Sequence, residues 1–127
     1  MGKQHSVLVI DDEMAVLKSV AMCLRSSEWL VFATDNPKEA LEIAKRHTPD
    51  VILCDASMPD LSGPQIITTL GADATTAGIP VVLMSGYADA EMFSHVAWKG
   101  FLGKPFGVKE LKEALQSVVR YIPPKIE

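Results

Sequence analysis

Val51-Ile52-Leu53-Cys54-Asp55 is the clearest strand signal in this sequence, and Ala56-Ser57-Met58-Pro59-Asp60-Leu61-Ser62-Gly63 follows it. Four apolar residues bounded by turn-forming residues are typical of a buried central strand. The Met-Pro and Ser-Gly pairs favour a turn directly after Asp55. In an open α/β sheet, ligands bind outside the carboxyl ends of the strands, where Asp55 would lie. Alternatively, Asp55 only caps the turn, and the rest of the chain must decide between these interpretations.

The length and composition indicate one folded domain that spans residues 1–127. The chain has 127 residues, of which 48% are hydrophobic, so a substantial core is expected. No apolar run is long enough to span a membrane, and the apolar run 7–10 is too short for the core of a signal peptide. The net charge is −4 without a Lys/Arg cluster, which argues against binding of nucleic acid by this domain.

The cysteines and histidines do not form a metal-binding pattern. Cys23 and Cys54 lie in apolar contexts, so we expect both to be buried and reduced, as in a cytoplasmic protein. His5, His47 and His95 are far apart in the sequence, and a structural or solvent-exposed position is expected for each.

Five short apolar runs alternate with helical patterns along the chain. This alternation predicts an α/β fold with a five-stranded parallel sheet covered by helices on both faces, as in flavodoxin-like proteins. The predicted strands are 6–10, 30–34, 51–55, 80–84 and 100–103. The predicted helices are 15–24, 37–48, 64–70, 89–96 and 108–121, and 71–78 is predicted as a loop.

Two of these helices carry specific signals. Asn36 is a suitable N-cap before Pro37, and Glu39 could complete a capping box. The last helix has one apolar face, which predicts its core residues: Val108, Leu111, Leu115, Val118 and Val119.

Polar residues follow four of the five predicted strands. They are Asp11-Asp12, Asp55, Ser85 and Lys104. Because the carboxyl ends of parallel strands share one edge of the sheet, three carboxylates, a hydroxyl and an ammonium can meet there. Carboxylates at such a short separation favour a bound cation, and a small set of oxygen ligands suits Mg²⁺. This combination is suited to stabilising a phosphoryl group during transfer.

At this point the sequence resembles the receiver domain of two-component response regulators, over nearly its whole length. The resemblance depends on four motifs in order: Val9-Ile10-Asp11-Asp12-Glu13, Asp55 to Gly63, Met84-Ser85-Gly86 and Lys104-Pro105-Phe106. It implies that Asp55 accepts a phosphoryl group from the phosphohistidine of a histidine kinase or a histidine phosphotransfer protein. The chain would then be a signalling protein that promotes its own phosphorylation and dephosphorylation, and not an enzyme.

The resemblance also implies roles for the neighbouring residues. Mg²⁺, or Mn²⁺ in its place, would be held by Asp11, Asp12, Asp55 and the backbone carbonyl of Ser57. Ser85 and Lys104 would contact the phosphoryl oxygens, and the Lys104–Pro105 peptide bond would be cis. Phosphorylation would draw the Ser85 hydroxyl inward and open space for Phe101, which can act only sterically because it has no hydroxyl. Alternatively, Phe101 only packs in the core.

The sequence departs from the family pattern between Ser85 and Lys104, which are 19 positions apart, a few fewer than is usual. The helix region between the fourth and fifth strands is therefore expected to be shortened. Met92, Phe93 and Trp98 lie in this segment, where they either form a docking patch or cover the core. Dimerisation through this face, as in many relatives, is not assumed, and we expect a monomer or a weak dimer.

Two positions flank the phosphoryl group and tune its lifetime in the family, and they correspond to Ser57 and Tyr87. Neither side chain is acidic or an amide, so neither positions a water molecule well for hydrolysis. Tyr87 also has the bulk to screen the site. We therefore expect a slowly decaying phospho-Asp55.

Three other classes of protein fit the sequence less well. A haloacid-dehalogenase-like phosphatase needs a second aspartate two residues after the nucleophile, where this chain has Ser57. A flavin-binding module would place its phosphate against the acidic run 11–13, which would repel it. A degenerate receiver that acts only as an interaction module conflicts with the complete set of acid, hydroxyl and lysine. The downstream protein target, and whether the domain acts alone or within a longer protein, are not readable from these residues.

Overall fold

The computed structural model describes residues 5–25, 29–56, 63–85 and 100–119. In chain order the strands are β1 (His5–Ile10), β2 (Trp29–Thr34), β3 (Val51–Asp55), β4 (Val81–Ser85) and β5 (Gly100–Gly103). The helices are α1 (Met14–Leu24), α2 (Pro37–His47), α3 (Gly63–Gly71) and α4 (Val108–Val119). Each predicted element that falls in these residues is present, with bounds that differ by a residue or two.

All five strands are parallel and follow the order β2-β1-β3-β4-β5. The central strand β3 pairs with β1 through Ile10↔Cys54 and with β4 through Asp55↔Met84. Because the strands run in the same direction, the residues that follow β1, β3, β4 and β5 lie at one edge of the sheet. This is the edge at which the polar residues were expected to meet.

The sheet is buried on both faces, which confirms the predicted layered architecture. Alternate side chains of β1, β3 and β4 point to opposite sides and form two core clusters. One cluster is covered by α1 and α4 through Leu17, Val20, Leu24, Leu111, Leu115 and Val118. The other is covered by α2 and α3 through Ala40, Ala44, Ile66, Ile67 and Leu70.

The start of α2 agrees in part with the prediction from the sequence. Asn36 is the N-cap, its side chain accepts a hydrogen bond from the Lys38 backbone N–H at 3.0 Å, and Pro37 begins the helix. The capping box with Glu39 does not form as expected, because the Asn36 N–H donates to the Thr34 hydroxyl at 3.1 Å. The N–H that the glutamate would bind is already satisfied.

The prediction for Val108 was wrong, since its side chain is 46% exposed although it lies on the apolar side of α4. The strand that precedes this helix ends at Gly103, so the first turn of α4 extends beyond the end of the sheet. Leu111, Leu115 and Val118, one or more turns further along, are buried as expected.

The predicted loop at 71–78 is a compact series of turns. Asp73 organises it, because its side chain accepts the Thr75 N–H at 2.9 Å and pairs with Lys45 of α2 at 3.2 Å. The buried hydroxyl of Thr76 donates to the Leu70 carbonyl at 2.7 Å. These contacts fix the connection between α3 and β4.

Several predictions concern segments outside the described residues. They are the helix at 89–96, the shortened region that contains Met92, Phe93 and Trp98, and the end of the last helix at 120–121. These remain predictions from the sequence.

Candidate functional site

The site is built where four strands end at the carboxyl edge of the sheet. Asp11 directly follows β1, Asp55 and Ser85 are the last residues of β3 and β4, and Lys104 directly follows β5. The strand register holds their backbones close together, because Ile10 pairs with Cys54, Asp55 with Met84 and Ser85 with Gly103. The tertiary structure therefore brings together side chains that are widely separated in the sequence.

Three carboxylates form the centre of this site. Asp11, Asp12 and Asp55 each offer an oxygen, and these oxygens lie within 4.8 Å of one another. Asp11 and Asp55 are buried, whereas Asp12 is exposed. Carboxylates at this separation repel one another, and their oxygen-only donor set fits a hard divalent cation such as Mg²⁺.

Lys104 is the cation that the structure places among these acids. Its Nζ lies 2.9 Å from Asp11 Oδ2, 3.6 Å from Asp55 Oδ2 and 3.5 Å from Glu13 Oε1. The side chain of Lys104 is 21% exposed and that of Asp11 is fully buried. The ammonium therefore compensates a buried negative charge that would otherwise be costly.

The charges around Lys104 keep it protonated. Its partial burial disfavours the ammonium form, but the hydrogen bond to Asp11 and the negative charges of Asp11, Asp55 and Glu13 outweigh this effect. The pKa of Lys104 is consequently raised above its ordinary value. The site thus has a permanent positive charge next to the carboxylate of Asp55.

Backbone hydrogen bonds fix Ser85 and Lys104 relative to each other. The Lys104 N–H donates to the Ser85 carbonyl at 2.7 Å, which joins the ends of β4 and β5. Ser85 is buried. The Lys104–Pro105 peptide bond is cis.

Phe101 lies in β5, paired with Leu83 of β4. Its side chain is partly buried and packs against the core cluster beneath α2 and α3. This contact is the one expected if Phe101 packs in the core. Its role as a steric switch stays a prediction.

Cys54 precedes Asp55 but is not a reactive group. Burial, followed by the negative charges of Asp55 and Asp11, raises the pKa of the Cys54 thiol well above its ordinary value. Cys23 is partly buried, and both cysteines are free thiols.

Two of the predicted site residues, Ser57 and Tyr87, lie outside the described residues. One site residue received no role from the sequence, although it directly follows the acidic pair. It is Glu13, whose carboxylate reaches Lys104. The signal was the third acid in the run 11–13, but nothing in the local pattern indicates a partner 91 residues away.

Comparisons with known proteins show the family of this chain. A family model described as the response regulator receiver domain matches residues 7–116. The cell cycle response regulator CtrA of Brucella ovis, and that of Brucella anthropi, are each 32% identical to this chain over 119 residues. The match covers 90% of this chain and 50% of either relative. The chain therefore spans about half the length of the curated relatives it matches.

Solved structures share the fold. The chemotaxis response regulator CheY4 of Vibrio cholerae is similar with a TM-score of 0.84 and 25% identity, over 91% of this chain and 98% of that one. The receiver domain of the sensor histidine kinase PA1611 from Pseudomonas aeruginosa has a TM-score of 0.82 and 24% identity over the same shares. That protein's structure has a magnesium ion coordinated in its active-site cleft.

Among the described residues, no helix combines the length and the apolar character needed to cross a bilayer.

Proposed function

The chain belongs to the response regulator receiver domain family, and we propose that it is a switch in which Asp55 accepts a phosphoryl group from a phosphohistidine. The observation that carries this proposal is the cluster of Asp11, Asp12, Asp55 and Lys104 at the carboxyl edge of the sheet. Asp55 is the central member, because it ends the central strand, belongs to the acidic cluster and lies 3.6 Å from the Lys104 ammonium.

We propose that Asp11, Asp12 and Asp55 hold Mg²⁺, with the backbone carbonyl of Ser57 as a further ligand, and that Mn²⁺ can substitute. The separation of the three carboxylates supports this assignment. When bound, the metal neutralises the carboxylates and the charge that develops on the phosphoryl group. Ordinary hydration of Mg²⁺ would fill the remaining coordination positions.

The chain's own residues then perform the transfer. A carboxylate oxygen of Asp55 attacks phosphorus, the P–O bond forms as the P–N bond to the donor imidazole breaks, and the imidazole takes up a proton as it leaves. Lys104, which is already 3.6 Å from Asp55 Oδ2, stabilises negative charge on the phosphoryl oxygens. Ser85 donates its hydroxyl hydrogen to another of those oxygens.

The output of the switch is assigned to Ser85 and Phe101. In the strand register Ser85 pairs with Gly103, and no described atom lies within 4 Å of a Cβ built on Gly103. A Cβ at Gly103 would lie on the side of the sheet where Phe101 packs against the core. Movement of Ser85 toward the phosphoryl group would open space there and allow Phe101 to turn inward.

The partners follow from the chemistry. The donor is a histidine kinase or a histidine phosphotransfer protein, and the receiving partner is a protein that distinguishes the two positions of Phe101. We place the protein in the cytoplasm, where its free thiols Cys23 and Cys54 stay reduced. Ser57 and Tyr87 are proposed to lengthen the life of the acyl phosphate, because neither can activate water as a carboxylate would.

Transfer from acetyl phosphate tests the function directly. Wild-type protein, Asp55→Asn and the control Asp35→Asn would be incubated with acetyl phosphate with and without Mg²⁺, and intact mass would report the adduct. We expect one phosphoryl adduct that requires Mg²⁺ in the wild type and the control, and none in Asp55→Asn. An adduct that persists in Asp55→Asn would show that the acceptor is another residue.

The same experiment separates the alternatives. Absence of both an adduct and Mg²⁺ binding in the wild type would favour an interaction module that works without phosphorylation. Continuous release of phosphate, with no adduct that accumulates, would favour a phosphatase. The decay rate of the adduct in Tyr87→Ala, compared with the wild type, tests the proposed role in phosphate lifetime, which requires faster decay in the variant.

A further inference from the structure

Glu13 is a second anionic partner of Lys104 that lies at the solvent side of the site. Its Oε1 is 3.5 Å from Lys104 Nζ, and its side chain is 64% exposed. Asp11, another carboxylate that contacts the same ammonium, is fully buried. Lys104 therefore contacts both a buried inner carboxylate of the acidic cluster and an exposed outer carboxylate that is not in it.

The backbone of Glu13 is held independently of its side chain. The Glu13 N–H donates to Asp11 Oδ1 at 2.9 Å, and its carbonyl accepts from Val16 at 3.0 Å and from Leu17 at 3.3 Å. Glu13 is the N-cap of α1, but its side chain makes no capping hydrogen bond to the described residues. The carboxylate is thus presented to Lys104 from a fixed position and is not required to begin the helix.

The inner position of Lys104 conflicts with metal binding. Asp11 already uses one oxygen for the Glu13 N–H and the other for Lys104. A divalent cation on the carboxylate of Asp11 would be close to the ammonium, and two cations that share one carboxylate repel each other. Loading of the metal would therefore weaken the contact between Lys104 and Asp11, while Lys104 stays near Asp55.

We propose that Glu13 is a positioning residue that holds Lys104 at the site when the metal occupies the carboxylate of Asp11. This inference rests on the proposed function, because it presupposes that Mg²⁺ binds to the acidic cluster. Glu13 lowers the cost of displacing Lys104 from Asp11, since the ammonium keeps an ionic partner outside the metal's ligand set. It also keeps Lys104 within reach of the phosphoryl oxygens.

A different role for the same carboxylate predicts different results. An acidic group at the start of a helix can stabilise it through the helix dipole, and any negative charge near a site attracts Mg²⁺. Both of those effects depend on the charge of Glu13 and not on Lys104. The proposed role depends on the contact between the two side chains and disappears when either is removed.

The test is the Mg²⁺ dissociation constant, measured by calorimetry on the whole chain without a phosphodonor. The variants are Glu13→Gln, Glu13→Asp, Lys104→Met and the double variant Glu13→Gln/Lys104→Met. Glu39→Gln is the matched control, because it removes the same charge from an exposed residue in the first turn of α2. We expect the Mg²⁺ dissociation constant of Glu13→Gln to be about three-fold higher than that of Glu39→Gln. This is the size of effect typical of a partly exposed ion pair.

Two further comparisons decide between contact and charge. Glu13→Asp should lose most of the Mg²⁺ affinity that Glu13→Gln loses, because the shorter side chain keeps the charge but does not reach Lys104. In the Lys104→Met background, Glu13→Gln should have no more effect than Glu39→Gln.

An equal effect of Glu13→Gln and Glu39→Gln would overturn the inference and leave the proposed function intact. Wild-type Mg²⁺ affinity in Glu13→Asp would also overturn the inference alone. So would an effect of Glu13→Gln that is as large in the Lys104→Met background as in the wild type. Absence of Mg²⁺ binding by the wild type would instead overturn the proposed function, and the inference with it.

Discussion

The Lys104 ammonium lies 2.9 Å from the buried carboxylate of Asp11, although 93 positions separate the two residues in the chain. One follows the first strand and the other follows the last, so the contact depends on the whole parallel sheet. Under the proposed function, Mg²⁺ would bind to the same acidic cluster that Lys104 contacts. In the proposed function, folding, metal binding and phosphoryl transfer would therefore be coupled through Lys104.

Lys104→Met should destabilise the metal-free protein by about 1–3 kcal/mol, because the buried Asp11 loses its ionic partner. Urea unfolding without metal would measure the loss, with Lys109→Met, an exposed lysine in α4, as the control. Saturating Mg²⁺ should restore more stability to Lys104→Met than it adds to the wild type. Unchanged stability of the metal-free variant would contradict this account of the ion pair.

Asp12→Asn should change stability and metal affinity in opposite directions. Asp12 is exposed and adds repulsion to the acidic cluster, so its neutralisation should stabilise the metal-free protein by up to about 1 kcal/mol. The same change should weaken Mg²⁺ binding by about ten-fold or more, because a proposed ligand of the metal is lost. Thermal unfolding with and without Mg²⁺ measures both effects. A variant that loses metal affinity but gains no stability would show that the carboxylates do not repel each other in the folded state.

Gly100→Ala should destabilise the fold by about 1 kcal/mol. A Cβ at this position would lie 3.2 Å from the Val118 and Val82 side chains, and the branched valines have little freedom to move away. Gly103→Ala in the same strand is the matched control, since a Cβ there meets no described atom within 4 Å. Equal stability of the two variants, measured by urea unfolding, would disprove close packing at Gly100.

Asp73→Ala should lower stability at neutral pH and lose this effect in acid. The hydrogen bond from the Thr75 N–H, and then the pairing with Lys45, hold the pKa of Asp73 below its ordinary value of 3.8. A lowered pKa in the folded state stabilises the protein above the unfolded pKa, and the contribution is lost as the pH falls through the folded value. The difference between wild type and variant should therefore be constant above about pH 5 and shrink below about pH 4.

Lys45→Met separates the two causes of that shift. Because the Thr75 hydrogen bond is the larger cause, Lys45→Met should cost less stability than Asp73→Ala. High salt should remove only the part of the Asp73 contribution to stability that depends on Lys45. A cost for Lys45→Met as large as that for Asp73→Ala would reverse the assignment.

The elements were predictable because their signals are local. The apolar run at β3 and the cap at Asn36 each depend on neighbouring residues, and the structure has both where they were expected. The errors arose where a local pattern conflicts with the surrounding structure. Val108 has the periodicity of a core residue, but the sheet ends before it, and the Glu39 capping box is displaced by the hydroxyl of Thr34.

The amino-acid sequence by itself determined the succession of strands and helices along the described chain and the acids that follow β1 and β3. It also determined the resemblance that the family model confirms. These features follow from hydrophobic periodicity and from short motifs, which need no knowledge of distant contacts. Only the tertiary structure decided that Lys104 pairs with Asp11 and Glu13 as well as facing Asp55. Those distances depend on the strand order and on the register of β4 and β5, because a displacement of one strand would move its terminal side chains away from the shared edge.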